Sequence, residues 1–328
     1  MALLAVRHLR VEIPTRRRTL VALDDVSFDI EEGEVLGVVG ESGAGKSLTG
    51  AAIIGLLEPP CRIAGGEIRL DGRRIDGLDA EAMRRVRGRQ IGAIFQDPLT
   101  SLNPLLTIGR QLTETITTHA PLGAAAARRR AIDLLGEVGI PAPAQRFAAY
   151  PHQFSGGMRQ RVVIALALAA NPRLVIADEP TTALDVSIQA QILALLRRLC
   201  REHGTAVMLI THDMGVIAET ATRVAVMYAG RVVEIGPVAD VVRAARHPYT
   251  EGLMGAIPTL DHEVPRLTQI EGVMPRLDEI PAGCAFHPRC GYTEALCRAE
   301  RPELMPTDGA SQAACWRYHV RWEGGGRG

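Results

Sequence analysis

Lysine is nearly absent from this sequence: of its 37 lysine and arginine residues, only Lys46 is a lysine. A chain so committed to arginine has kept one compact, flexible ammonium where a planar fork suits the site less well. Aromatic residues are scarce, at 4%, and none precedes Phe28. Neither sign of charge is in excess, since 37 basic residues meet 37 acidic ones; this excludes a global basic field recruiting nucleic acid. The longest uninterrupted apolar run, Val162 to Ala170, is far below the roughly 20 residues that span a bilayer. The start, Met1-Ala-Leu-Leu-Ala-Val-Arg7, has neither the apolar core nor the cleavage site of a secretory signal, so the expectation is a soluble, cytosolic chain. In that compartment six cysteines are thiols or metal ligands rather than disulfides, and no C-x-x-C pair occurs among them.

What is present is organised around Val35-Leu-Gly-Val-Val-Gly-Glu-Ser-Gly-Ala-Gly-Lys-Ser47, a short buried strand, a glycine-rich turn and the start of a helix. Gly40, Gly45, Lys46 and Ser47 fit the pattern G-x-x-x-x-G-K-[ST]. Glycines let the backbone of Gly40, Glu41, Ser42, Gly43, Ala44 and Gly45 curl so that N–H groups form a nest for phosphate oxygens. The helix start adds its positive dipole end, Lys46 reaches the β- and γ-phosphates, and the Ser47 hydroxyl is a Mg²⁺ ligand.

At 328 residues the chain is long enough for an α/β domain and something smaller. Residues 1–34 read as antiparallel strands, with a turn at Glu31-Glu32-Gly33. A helix is expected from about Gly45 to Leu57, a strand over Gly65–Gly72, a basic helix over Ala80–Arg89 and a buried strand over Ile91–Gln96. From Pro98 to about Ala170 the pattern is mostly helical, which reads as an insertion. The α/β pattern resumes with a strand at Arg173–Asp178, a helix at Ser187–Arg201, a strand at Ala206–Thr211 and a hairpin over Arg223–Ile235 turning at Ala229-Gly230. Hydrophobic strands alternating with helices imply a mostly parallel sheet covered on both faces. Beyond His247 the chain is Pro-rich and irregular, and Gly324 to Gly328 is expected to be disordered.

Further chemistry sits at strand ends. Asp178 closes an apolar strand and can hold Mg²⁺, while the adjacent Glu179 can act as general base toward water. Gln96 and His212 end two other strands at the edge where open parallel sheets bind ligands. Phe154-Ser-Gly-Gly-Met-Arg-Gln-Arg161 opens a helix that Ser155 caps, with Gly156 and Gly157 leaving first-turn amides to meet an anion. A second anion site without a lysine suggests that it serves a nucleotide held by another subunit.

These segments together resemble the ATP-binding subunit of an ABC transporter over about residues 4–245. They match the Walker A loop (Gly40 to Ser47), the Q-loop glutamine (Gln96), the signature (Phe154 to Met158), Walker B (Asp178, then Glu179), the D-loop (Ala183-Leu-Asp185) and the switch histidine (His212). The resemblance implies a P-loop ATPase with an antiparallel β subdomain, dimerised head-to-tail on two ATPs, each held between one subunit's loop and the other's signature. Ser47, Gln96 and Asp178 would attend Mg²⁺, Glu179 would polarise the water, and His212 and Gln96 would sense the γ-phosphate. Two departures stand out: Phe154 and Met158 replace the Leu and Gln of many members, and the adenine-stacking aromatic is missing. An arginine among Arg16 to Arg18, or Leu20, is expected to cover the base instead.

Arg246-His-Pro-Tyr-Thr250, Ala256-Ile-Pro258 and Phe95-Gln-Asp-Pro-Leu-Thr-Ser-Leu-Asn-Pro104 resemble the dipeptide/oligopeptide importer branch, nearest to its D-type ATPases. The organisation expected is a core at 1–97 and 171–246, a helical signature subdomain at 98–170 and a C-terminal extension at 247–328. The partners implied are an F-type ATPase subunit, two transmembrane permease subunits and a periplasmic binding protein, with the chain peripheral on the cytoplasmic face of the inner membrane. Nickel and glutathione importers share these features, and a soluble ABC ATPase of another role is the further alternative.

Cys284, Cys290, Cys297 and Cys315 have spacing that leaves a Cys₄ metal site, an iron–sulfur cluster or incidental thiols open. The resemblance implies a [4Fe–4S] cluster there, with a structural role. Cys61 and Cys200 read as ordinary core thiols.

Overall fold

The computed structural model describes residues 2–182, 185–256 and 269–319. Expectations for Ala183 and Leu184, for Ile257-Pro258 and for the glycine-rich terminus lie outside the described residues.

The chain opens with two long strands, β1 (Leu4–Pro14) and β2 (Thr19–Ile30), and then β3 (Val35–Val39) runs into helix α1 (Lys46–Ile53). Strands β4 (Arg62–Leu70) and β5 (Arg73–Arg74), helix α2 (Ala80–Val86) and strand β6 (Ile91–Ile94) follow. A helical run occupies the next stretch: α3 (Pro98–Ser101), α4 (Ile108–His119), α5 (Ala124–Glu137), α6 (Pro143–Arg146) and α7 (Gly156–Leu168). Alternation then returns with β7 (Leu174–Asp178), α8 (Val186–His203), β8 (Ala206–Thr211), α9 (Met214–Thr220), β9 (Arg223–Tyr228) and β10 (Arg231–Pro237). The chain continues through α10 (Val238–Arg243), α11 (Pro248–Gly255), α12 (Ala295–Ala299), β11 (Met305–Pro306) and β12 (Gln312–Ala313).

The described residues form two compact units. One comprises Ile30–Val35 and Gly77–Leu209. Its strands β6 and β7 pair in parallel, Ile91 opposite Leu174 through Ile94 opposite Ala177. β7 is buried from Leu174 to Ala177 and β8 along its whole length, the signature of strands covered on both faces. Their unbroken Val/Ile/Leu/Ala runs leave the burden of specificity to the polar residues that follow each strand.

The other unit comprises Ala2–Asp29, Leu36–Asp76 and the chain from Ile210 onward. It contains the antiparallel sheet β2-β1-β4-β5, with Leu4 opposite Leu70 and Val6 opposite Ile68. It also contains strands ordered β11-β12-β10-β9-β3, in which β3 and β9 are parallel and β9 and β10 antiparallel. The β9–β10 turn falls at Ala229-Gly230, both left-handed at φ 47° and 77°, as two-residue hairpin turns require. Among the described residues beyond His247 there is regular structure that the composition did not suggest: β12 adds to β10, with Glu234 opposite Ala313. Two helices stop short of expectation because glycines end them. α1 gives way before Gly55 (φ 63°), and α2 before Gly88 (φ 76°).

Candidate functional site

From Val39 the chain turns through Gly40 to Gly45, whose three glycines hold positive φ: 155° at Gly40, 84° at Gly43 and 102° at Gly45. A Cβ on Gly40 would lie 2.3 Å from the Met227 carbonyl oxygen, and one on Gly45 would lie 2.7 Å from Leu23 Cδ2. Glycine is therefore demanded twice over, by backbone angle and by neighbours in β9 and β2. α1 starts from Gly45 with no side chain capping it, and a helix N-terminus of this kind offers donors and a positive dipole end to an anion. Lys46 is buried, and its Nζ donates to the carbonyls of Gly40 at 2.7 Å and Glu41 at 3.1 Å. Ser47 follows it in the first turn of α1, so the loop and helix bring residues 40–47 together as one element.

Two residues from the tail grip this loop, and sequence reasoning assigned neither a role there. The Glu41 N–H donates to the Tyr249 hydroxyl at 2.7 Å. Arg289 donates through Nη1 to Glu41 Oε2 at 2.7 Å and through Nη2 to Oε1 at 3.0 Å, a two-pronged pair. The hydrogen bonds to Glu41 hold the Arg289 guanidinium above its already high ordinary pKa. Tyr249 was visible only as part of a tail motif, and Arg289 is one arginine among many.

In the other unit, Asp178 closes β7 and Glu179 follows in a left-handed conformation, φ 45°, costly for a residue with a side chain and typical of positions held for chemistry. Gln96, just beyond β6, donates through Nε2 to Glu179 Oε2 at 3.0 Å, and Thr182 Oγ1 donates to the same oxygen at 2.9 Å. The parallel pairing of β6 with β7 is what brings Gln96 to Glu179. Thr182 was missed; its place three residues after the acid is the only sequence signal it offers. Ser155 caps α7, its Oγ accepting from the Met158 N–H at 3.4 Å, and Ser155 and Gly156 are exposed. A Cβ on Gly157 would lie 2.9 Å from Ile188 Cγ2 of α8, so glycine there permits close helix packing. Asp185 is the N-cap residue of α8.

His212 follows β8 and is exposed, next to Asp213, whose Oδ1 caps α9 by accepting from the Gly215 N–H at 2.8 Å. Arg18 and Leu20 line a cavity of about 380 Å³ with Ala229, Leu277 and Ile280. Arg18 pairs there with Asp278 at 2.9 Å.

The iron–sulfur and metal-binding expectation for the four tail cysteines is corrected. Cys284, Cys290, Cys297 and Cys315 do line one space, but its volume is about 20 Å³, room for one water rather than a four-iron cluster. Among the described residues no group of three or more His, Cys, Asp or Glu is arranged to hold a metal ion. Burial pushes the Cys284 thiol up to about 11 and the Cys315 thiol up to about 12. The [4Fe–4S] group does not fit. Cys200 is a core thiol, buried in α8 and pushed by burial up to about 12.

Among the described residues no helix is long and apolar enough to cross a membrane. Residues 23–182 match the ABC transporter family and residues 233–297 match the oligopeptide/dipeptide transporter C-terminal region. The chain is 46% identical over 315 residues to the dipeptide transport ATP-binding protein DppD of Escherichia coli K12, covering 96% of each chain. It is 44% identical to the oligopeptide transport ATP-binding protein AppD of Bacillus subtilis, covering 96% of this chain and 97% of that protein. Among solved structures it is similar to the ATP-binding cassette MJ0796, a dimer in a post-hydrolysis state bound to ADP and Pi. That likeness has a TM-score of 0.64 at 30% identity, covering 72% of this chain and 98% of the other. With the Gly40–Ser47 turn, the strand-end acids Asp178 and Glu179 and the Ser155-capped helix all inside the matched span, the chain belongs to the ABC transporter ATPases, in the branch of the peptide-transport ATP-binding subunits.

Proposed function

We propose that this chain is the ATP-hydrolysing subunit of an importer that carries dipeptides or oligopeptides across the bacterial inner membrane. The match of residues 233–297 to the peptide-transporter C-terminal region carries the substrate class, because that region lies outside the general ATPase motifs. Residues 1–97 with 171–246 serve as the ATPase core, 98–170 as the helical part bearing the signature, and 247–328 as the extension.

Each residue has a task that its chemistry suits. The Gly40–Ser47 turn cradles the phosphates, and Lys46 balances their charge. The Ser47 hydroxyl, the Asp178 carboxylate and the Gln96 amide oxygen are each oxygen donors of the kind Mg²⁺ takes, and the ion would neutralise phosphate charge during transfer. Glu179 takes the proton of the attacking water, with Gln96 and Thr182 fixing its carboxylate through Oε2. His212 meets the γ-phosphate. Asp185 stands at the subunit boundary, where the exposed Ser155 and Gly156, with the half-buried Gly157, reach the nucleotide of a partner ATPase. Leu20, with Arg18 beside it, covers the adenine in place of an aromatic. Replacing Arg16, Arg17, Arg18 and Leu20 together by Ala is expected to weaken ATP binding, and unchanged affinity overturns that assignment.

The partners are an F-type ATPase, two permease subunits and, through them, a periplasmic binding protein, with this chain peripheral on the cytoplasmic face. An apolar surface supports a permease contact: Phe95 is 46% exposed and Leu99 61%. Phe95 also lines a cavity of about 400 Å³ with Gly92, Val163 and Leu166, suited to a helix from a permease. The test is purification of the membrane complex with Glu179→Gln in this chain. ATP binding should persist while hydrolysis falls about 10²- to 10⁴-fold, the range of a lost general base. Undiminished turnover overturns the assignment of the base, and recovery of the chain without permease partners overturns the transport reading.

A further inference from the structure

We infer that the tail residue Arg289, working with Tyr249, is a positioning residue for ATP: it sets the phosphate-binding loop by holding Glu41 from two sides. The inference rests on the reading that residues 40–47 bind the triphosphate.

Glu41 is the second residue of the turn, directly after Gly40. Its carboxylate accepts both prongs of the Arg289 guanidinium, and its N–H is taken by the Tyr249 hydroxyl. Side chain and backbone of one loop residue are thus each fixed by a different segment of the tail. Arg289 is itself immobilised: its side chain is 6% exposed, and its Nε donates to the Glu271 carbonyl at 2.8 Å. The guanidinium lies 5.9 Å from the Tyr228 ring centroid and 5.8 Å from that of Phe286. Tyr249 is fully buried and packs edge-on against Tyr228 at 4.7 Å. The result is a rigid aromatic and guanidinium bracket on unit-mates of the loop, not a pair of surface charges.

A phosphate nest works only if its N–H groups point at one place, and a displacement near 1 Å in such a site costs on the order of 10²-fold. Lys46 donates to the Glu41 carbonyl, so a shift of Glu41 would move the lysine's anchor as well. Arginine is required rather than lysine, because a point charge cannot meet both carboxylate oxygens in plane.

The test compares the purified transporter complex with versions carrying Arg289→Lys, Arg289→Met, Glu41→Gln, the double variant Glu41→Gln/Arg289→Met and, separately, Lys46→Met. ATP dependence of hydrolysis and binding of a fluorescent ATP analogue are measured on each. Arg289→Met should raise KM for ATP about tenfold, equivalent to about 1.4 kcal/mol, with kcat within about twofold. Arg289→Lys should recover only part of the loss. The double variant should be no worse than the poorer single one, because both changes break the same contact. Additive losses, or an unchanged KM in Arg289→Met, overturn the inference. If Arg289→Met does not assemble, Arg289→Lys and Glu41→Gln decide it, since normal KM in both is incompatible with a clamp. Lys46→Met keeps the two readings apart: retained ATP binding there defeats the loop assignment itself, whereas loss there with an unaffected Arg289→Met defeats only the clamp.

Discussion

Acidification should loosen the tail through one residue, His247. Its Nδ1 caps α11 by accepting from the Tyr249 N–H at 3.1 Å, and the His247 backbone N–H donates to Glu234 Oε2 at 2.9 Å. The ring is 1% exposed, and burial drives its pKa from 6.5 down to about 3. The folded state therefore holds the imidazole neutral, while the unfolded chain takes up a proton below about pH 6.5. Because the folded pKa is depressed, this contribution is present above pH 6.5 and is lost as pH falls toward 3. At about 1.4 kcal/mol per pH unit the loss between pH 6.5 and 4.5 is on the order of 2 kcal/mol. Glu234 works in the opposite sense. Burial raises its pKa, only partly offset by the hydrogen bonds that the His247 and Arg246 backbone amides donate to it, so protonation on acidification relieves a cost. The assay is the thermal midpoint of the full chain from about pH 7.5 to 4.5, for wild type, Glu234→Gln and His247→Asn. Asparagine keeps a capping acceptor but does not titrate. His247→Asn should be the less stable protein at pH 7.5, and its deficit should shrink by about 2 kcal/mol or more by pH 4.5. A deficit that stays constant across the range refutes the reasoning, and Glu234→Gln shows how much the carboxyl masks.

Three further outcomes follow from the same geometry. Thr182→Ala removes one of two donors to Glu179 Oε2 and should lower kcat about 5- to 20-fold with KM for ATP little changed; steady-state kinetics that show the reverse split would place Thr182 in binding instead. Gly40→Ala sets a Cβ against the Met227 carbonyl and forces an unfavourable φ, so it should destabilise by about 1–3 kcal/mol and weaken ATP binding more than tenfold, measured by melting and nucleotide titration. Ser155→Ala costs the fold no more than about 1 kcal/mol, the cap contact being long, yet should depress hydrolysis in the assembled complex while leaving ATP binding by the isolated subunit intact.

Sequence legibility followed the range of the forces involved. β3 and β8 lie where their apolar runs put them, and the hairpin turns at Ala229-Gly230, because burial pattern and turn chemistry are local signals. α1 and α2 ended early for an equally local reason, glycines just past each helix that apolar periodicity alone overlooks. The Gly40–Ser47 pattern and the strand-end acids could be read from residue type and spacing, because such motifs are local in the sequence. The contact of Gln96 with Glu179 was only implied, since 83 residues separate them and parallel pairing must first join β6 to β7. The tail was read as irregular, although β12 pairs with β10 and β11 with β12, because a two-residue strand carries no periodic signal. Arg289 was invisible because its partner is 248 residues away.

The arginine bias that opened the sequence has a counterpart in the unit that holds the loop. Asp24 on β2 accepts from Arg10 of β1 at 2.9 Å, from Arg231 of β10 at 2.7 Å and from Arg301 of the tail at 2.5 Å. Burial pushes the Asp24 carboxyl up, but the hydrogen bond and charge of Arg231, with Arg301 and Arg10, more than reverse it and leave the pKa below the usual carboxylate range. Three guanidiniums can share one carboxylate because each fork offers several donors in a plane; compact ammonium groups could approach but not interlock. Arg301 reaches Asp24 across 277 residues and Arg289 reaches Glu41 across 248, so the tail is fastened to the first strands and to the loop by the same device. Arginine here ties distant segments together, and it does so at half-buried acids where breaking a partner leaves a charge poorly solvated. Lys46 is the exception that this division of labour predicts. In the proposed function its ligand comes and goes, and a flexible stem with a single charge can release what a rigid fork would hold.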